Sequence, residues 1–110
     1  MVDGMSKQLA SLDPFWLMKD GKRVGFSFVC PSDPAWRQIV LAERFTMREQ
    51  WALTNEARPE SARNSQTAGT AWTIQGGIEN ATWDTMTVHP SVDGSHGGLW
   101  HGWILNGACS

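Results

Sequence analysis

In the stretch KRVGFSFVC, Val24, Phe26, Phe28 and Cys30 alternate with Arg23, Gly25 and Ser27. Successive side chains of an extended chain point to opposite faces, so an apolar period of two marks a strand with one buried face. What lies before it suggests its partner. Asp20-Gly21 is a two-residue pair suited to positive φ, so FWLMKDGKRVGFSF reads as a hairpin. Two prolines in CPSDP then stop the strand, because proline has no N–H to give to a ladder. The C-terminal end repeats the logic. LWHGWILN places Leu99, His101, Trp103 and Leu105 on one face and Trp100, Gly102, Ile104 and Asn106 on the other. Asn106-Gly107 is a strong type I′ turn pair and leaves room for a very short return strand.

Between these anchors the signals are mixed. AWRQIVLAERFTMREQWAL has the composition of a helix, yet its core RQIVLAERF also reads as a strand, and both remain open for residues 34–50. Residues 54–69 are polar with almost no large apolar side chain, which predicts a long loop. TAWTIQ and ATWDTMTVH are rich in Thr and Trp and read as strands separated by a turn at Gly76-Gly77, with HPSVDGSHGG as an irregular linker. At 110 residues the chain can build one modest core. The expected fold is mainly β: a small single-domain antiparallel β-sheet or sandwich with at most one short helix. Residues 1–12 are expected to form a flexible N-terminal leader ahead of a single β-rich domain over residues 13–110.

Charge narrows the partners. All nine Lys and Arg lie in residues 1–63 with eight acids, a balance of +1; residues 64–110 hold three acids and no Lys or Arg, a balance of −3. A nucleic-acid footprint needs clustered bases, so DNA and RNA are disfavoured, and Arg44, Arg48, Arg58 and Arg63 read as a solvated face. No run is apolar enough to span a membrane, and the N-terminus lacks the apolar core of a secretory signal. Aromatic usage is skewed to seven Trp, four Phe and no Tyr. Trp brings a large apolar face and one N–H donor, which suits a core or a contact surface. Trp72, Trp83, Trp100 and Trp103 are the candidate binding residues. Trp100 and Trp103 are three positions apart, so one of them should face the core and the other solvent.

Side chains that could carry chemistry are few. Thiolate and imidazole donors favour zinc, and Cys30, His89, His96, His101 and Cys109 are the available ligands. Their spacing matches no zinc-finger pattern, and the bland reading is a buried Cys30 with histidines bonded in turns. Ser91 is one of five possible nucleophiles, beside Cys30, Ser32, Ser95 and Cys109, with the histidines as possible bases. No GxSxG elbow, P-loop, dinucleotide fingerprint or paired-carboxylate motif is present.

GFSFVCP, TMTVHPSV and WHGWILNG together resemble the DUF6527 family of small phage and prophage proteins of unknown function. The matching positions are Cys30 and Pro31, Trp72, Thr85, Thr87, Pro90 and Ser91, then Trp100, His101, Gly102, Trp103, Ile104, Asn106 and Gly107. They run over residues 24–108, with the last block the most specific. Many relatives are richer in cysteine after the first Cys-Pro, which implies a metal knot; here CPSDPAW holds only Cys30. If a metal persists, the resemblance implies a zinc shell completed from His96, His101 and Cys109.

The functional expectation is a non-catalytic phage or prophage accessory protein. It binds a protein partner in the virion or among host factors, or associates with itself, with zinc in a structural role where a metal is held. Its place is the host cytoplasm or the virion. One rival is a zinc-dependent hydrolase using Cys30, His96 and His101 as ligands and Asp93 as base. The other is a counter-defence inhibitor of a host protein, favoured by the acidic C-terminal half.

Overall fold

The computed structural model describes residues 7–55, 63–64, 70–93 and 98–110. In chain order these give β1 (Lys7–Gln8), β2 (Phe15–Lys19), β3 (Lys22–Val29), β4 (Trp36–Leu41), a five-residue helix α1 (Met47–Trp51), β5 (Thr54–Asn55), β6 (Arg63–Asn64), β7 (Thr73–Ile74), β8 (Val88–Asp93), β9 (His101–Leu105) and β10 (Ala108–Cys109). They form two five-stranded sheets, one ordered β1-β10-β9-β8-β7 and the other β5-β2-β3-β4-β6. Every pairing is antiparallel except β4 with β6. The fold is therefore the small, mainly antiparallel β domain with one short helix that the alternating patterns predict.

Both hairpin turns form at the expected dipeptides. Asp20 and Gly21 have φ of 53° and 77°, and Asn106 and Gly107 have 49° and 80°, the positive pairs that a type I′ turn demands. Each joins strands in immediate register, Lys19 with Lys22 and Leu105 with Ala108. Residues 34–50 resolve into both alternatives in succession: a strand through WRQIVL, then helix α1. The helix starts at a capping box. The Thr46 hydroxyl accepts from the Glu49 amide, and the Glu49 carboxylate accepts from the Thr46 amide. Those bonds to Thr46 hold the Glu49 carboxyl below its usual range.

Phe26, Phe28 and Val40 from one sheet meet Val88, Val92, Ile104 and Cys109 from the other in a shared core, with Leu9, Leu12, Trp16, Trp72 and Met86 filling it. The far side of the β2-β3-β4 sheet is also covered. Phe15, Leu17, Val24, Ile39 and Leu41 pack there with Phe45 and Leu53. β3 and β4 are thus buried on both faces, which brings Ser27, Arg37 and Gln38 inside. Arg37 stacks on the Phe15 ring, donates Nε to Ser27 Oγ at 2.8 Å, and pairs with Asp13 Oδ2 at 3.1 Å. The Gln38 amide donates to the Trp100 carbonyl at 3.1 Å and ties the sheets together.

Three expectations shift. Residues 7–12, assigned to the flexible leader, are packed into the domain. Lys7–Gln8 pairs with β10, and Leu9 and Leu12 are buried in the core. Within the polar stretch 54–69, the described residues sit on the edges of a sheet, β5 beside β2 and β6 beside β4. Finally, the strand expected over ATWDTMTVH begins only at Val88 and continues through HPSVD, the start of the expected linker. Pro90 is tolerated because β8 departs from regular register between Val88 and Val92.

Two stability changes follow. Leu9→Ala should cost about 2–5 kcal/mol in denaturant unfolding, whereas a leader residue should cost almost nothing. Gly107 combines positive φ with a position where a Cβ would strike the Asp84 backbone carbonyl. Gly107→Val should therefore lose about 3 kcal/mol or more, read as a lowered melting temperature.

Candidate functional site

The outer face of β8 and β9 gathers the polar and apolar groups that the core does not use. In β9 the alternation is clean: Gly102 and Ile104 point inward, while His101, Trp103 and Leu105 point out. Gly102 has no Cβ for a reason, since one built there would run into the Trp100 ring. Opposite, β8 pairs Val88 with Ile104 and Val92 with Gly102, so four steps along β8 match two along β9. The surplus residues make a bulge, and bulges re-aim side chains. Its last residue is Ser91, whose Oγ lies 3.2 Å from His101 Nε2. Asp93 is the cross-strand partner of His101, with Oδ1 4.0 Å from Nδ1. Below, the Trp72 indole N–H donates to the Ser91 carbonyl at 3.1 Å and anchors the bulge to the core. A hydroxyl, an imidazole and a carboxylate therefore stand in sequence on one sheet face.

The four tryptophans do not form one surface. Trp72 is buried. Trp83 is half-buried, stacked on Trp16 with ring centres 4.1 Å apart, and Arg23 covers Trp16 at 4.1 Å. Trp100 packs its ring edge-on to Phe28 at 6.2 Å. Trp103 is 46% exposed, as is Leu105 two residues on. Of the pair three positions apart, Trp100 faces the core and Trp103 faces solvent, as strand alternation requires.

The suggested zinc donors are dispersed. Cys30 is buried at the end of β3 with its Sγ 3.4 Å from Ser32 Oγ. Cys109 points into the shared core, and burial pushes its thiol from 9.0 up to about 12. His101 has Ser91 on one ring nitrogen and Asp93 on the other. His96 lies outside the described residues. Among the described residues no three His, Cys, Asp or Glu side chains stand close enough together to hold a metal ion. Cys109 is thus turned into the core, away from the outer face where His101 lies between Ser91 and Asp93. His101 was legible from the sequence as a site residue. Ser91 was one of several possible nucleophiles and Asp93 one of several nearby acids, and only the bulge in β8 singles them out.

No family model matches the chain, and no similar curated protein or solved structure is found. No helix among the described residues is long and apolar enough to cross a membrane.

The state of Cys109 can be tested directly. Iodoacetamide at pH 8 should leave Cys109 unmodified in the native protein and label it after unfolding. Because the folded thiol keeps its proton where the unfolded one loses it, stability should fall as pH rises from 9.0 toward about 12. Cys109→Ala should lack that alkaline component in melts across the same range.

Proposed function

We propose that this chain is a phage or prophage accessory protein that works by binding another protein, in the virion or in the host. The outer face of β8 and β9 is its contact surface. The observation that carries this reading is the pair Trp103 and Leu105, the large apolar side chains left exposed among the described residues, each 46% accessible. The strand's alternation places both on one face. Aromatic anchors beside aliphatic neighbours dominate many interfaces, because a Trp supplies large contact area at little entropic cost. Ser91, Asp93 and His101 give that centre a polar margin able to form hydrogen bonds.

The phage or prophage origin rests on the resemblance carried by the Cys30-Pro31, TMTVHPSV and WHGWILNG segments. The sequence beyond Arg63 carries acids and no Lys or Arg, so a neutral or basic partner is the better electrostatic match. A counter-defence inhibitor is the same act of binding directed at a basic host protein, and that charge split is what favours it.

The test places a photo-crosslinking amino acid at Trp103, at Leu105 and, as a control on the other sheet, at Lys22. In the cells that produce the protein, positions 103 and 105 should give the same discrete adduct and position 22 none. Trp103→Ala should weaken binding to the partner so found by at least about tenfold, or 1.4 kcal/mol. Its unfolding free energy should stay within about 0.5 kcal/mol of the parent. Equal adducts at all three positions, or none at 103 and 105, would show that the contact surface lies elsewhere.

A further inference from the structure

We propose that Ser91 is an activated hydroxyl nucleophile that takes an acyl group from aryl esters or thioesters, with His101 as its general base. This goes beyond protein binding, though it uses the same face of β8 and β9.

The geometry supplies each part of an acyl-transfer step. Ser91 Oγ is 3.2 Å from His101 Nε2, within reach for a proton to pass between them. Nδ1 of the same ring faces Asp93 Oδ1 at 4.0 Å. A carboxylate on that side favours the tautomer with the proton on Nδ1, which leaves the Nε2 lone pair directed at the serine. Asp93 is a positioning residue here, acting through the imidazole. The three are fixed by backbone rather than by loop chance. Asp93 and His101 are direct cross-strand partners, and the Trp72 indole pins the Ser91 carbonyl. The arrangement thus has a nucleophile, a base in contact with it and an orienting acid, the pattern that distinguishes an activated serine from an ordinary one.

In the step itself, Ser91 Oγ forms a bond to the acyl carbon while its proton moves to His101 Nε2. The tetrahedral adduct then breaks the bond to the phenolate or thiolate leaving group. His101 returns its proton to that group or to solvent, and an ester of Ser91 remains. The site limits the donors. The His101 and Asp93 side chains are 54% and 48% exposed, so water carries the charge on the adduct's oxygen. Such an open site suits donors whose leaving group departs easily and gives no advantage with amides. Trp103 follows His101 by two residues on the same face, about 7 Å along the strand, with Leu105 beyond it. These two offer an apolar rest for the acyl chain or the aromatic leaving group.

The experiment uses the full chain and p-nitrophenyl acetate as the probe, followed by nitrophenolate release, intact mass and peptide mapping. One acetyl group per chain should appear on Ser91 before any lysine is modified. Ser91→Ala should lose it. His101→Ala and His101→Gln should each slow the reaction about a hundredfold while keeping the parent melting temperature. Asp93→Asn should slow it less, and Asp93→Glu should recover most of that loss, which a purely structural carboxylate would not do. Replacing acetate by hexanoate should speed the parent, and Trp103→Ala should remove that gain. Acetylation found mainly on lysines or on His101 would overturn the proposal. So would Ser91 acetylation at the parent rate in both His101 variants. Photo-crosslinking at positions 103 and 105 can succeed or fail whatever this reaction does, so the two readings are tested separately.

Discussion

A guanidinium sits inside this small domain, and the covered outer sheet depends on how it is satisfied. β3 and β4 are buried on both faces, and Arg37 is only 2% exposed. Moving an unpaired charge out of water costs several kcal/mol, so the strand can stay inside only with compensation. Phe15 stacks on the guanidinium, Ser27 accepts its Nε, and Asp13 receives it through both carboxylate and backbone carbonyl. Asp13 adopts φ of +50° beside that contact. The same arrangement joins the turn before β2 to the β3–β4 pair, and the nearby Leu12 carbonyl accepts from the Val29 amide at 2.8 Å. One buried charge therefore links the entry of the chain to the centre of a sheet.

The other sheet is organised by a mismatch. Four residues of β8 span what two residues of β9 span. Continuing the Val88–Ile104 register would set Ser91 opposite His101; the shift sets Asp93 there instead, and Ser91 still reaches the ring. The surplus bends β8, and the buried Trp72 holds the bend from beneath. The result is a chemically mixed face: Ser91 and Asp93 each beside His101, with Trp103 and Leu105 continuing along β9. Inward, the same strands present Val88, Val92 and Ile104 to the core. The two faces of one pair of strands thus differ in chemistry, apolar inward and mixed outward.

Much of this architecture is legible in the sequence. The alternation through Val24, Phe26 and Phe28, and the two type I′ dipeptides, specify local geometry with little help from distant residues. They gave the β class, both hairpins and the opposite facing of Trp100 and Trp103. What escaped was set by tertiary contact. RQIVL carries no clean period of two because both its faces are buried. Leu9 and Leu12 stand as isolated apolar residues in the sequence because their partners are distant along the chain, Gly107 for Leu9 and Val29 for Leu12. The start of β8 was hidden by His89-Pro90, which suggests a break unless the register shift is known. Ser91 and Asp93 are two ordinary polar residues until the pairing of β8 with β9 sets both beside His101. The zinc expectation drew on donor type and on the family resemblance, and neither says which way a thiol points; Cys109 is turned into the core.

The pairing of Lys7 with Cys109 has a mechanical meaning. β1 and β10 are antiparallel neighbours, so the chain enters and leaves the sheet at the same corner. A pull applied across the two ends loads their backbone hydrogen bonds one after another instead of all together. The domain would open like a zipper at low force, beginning with β1, and Leu9 would be the first core side chain drawn into water.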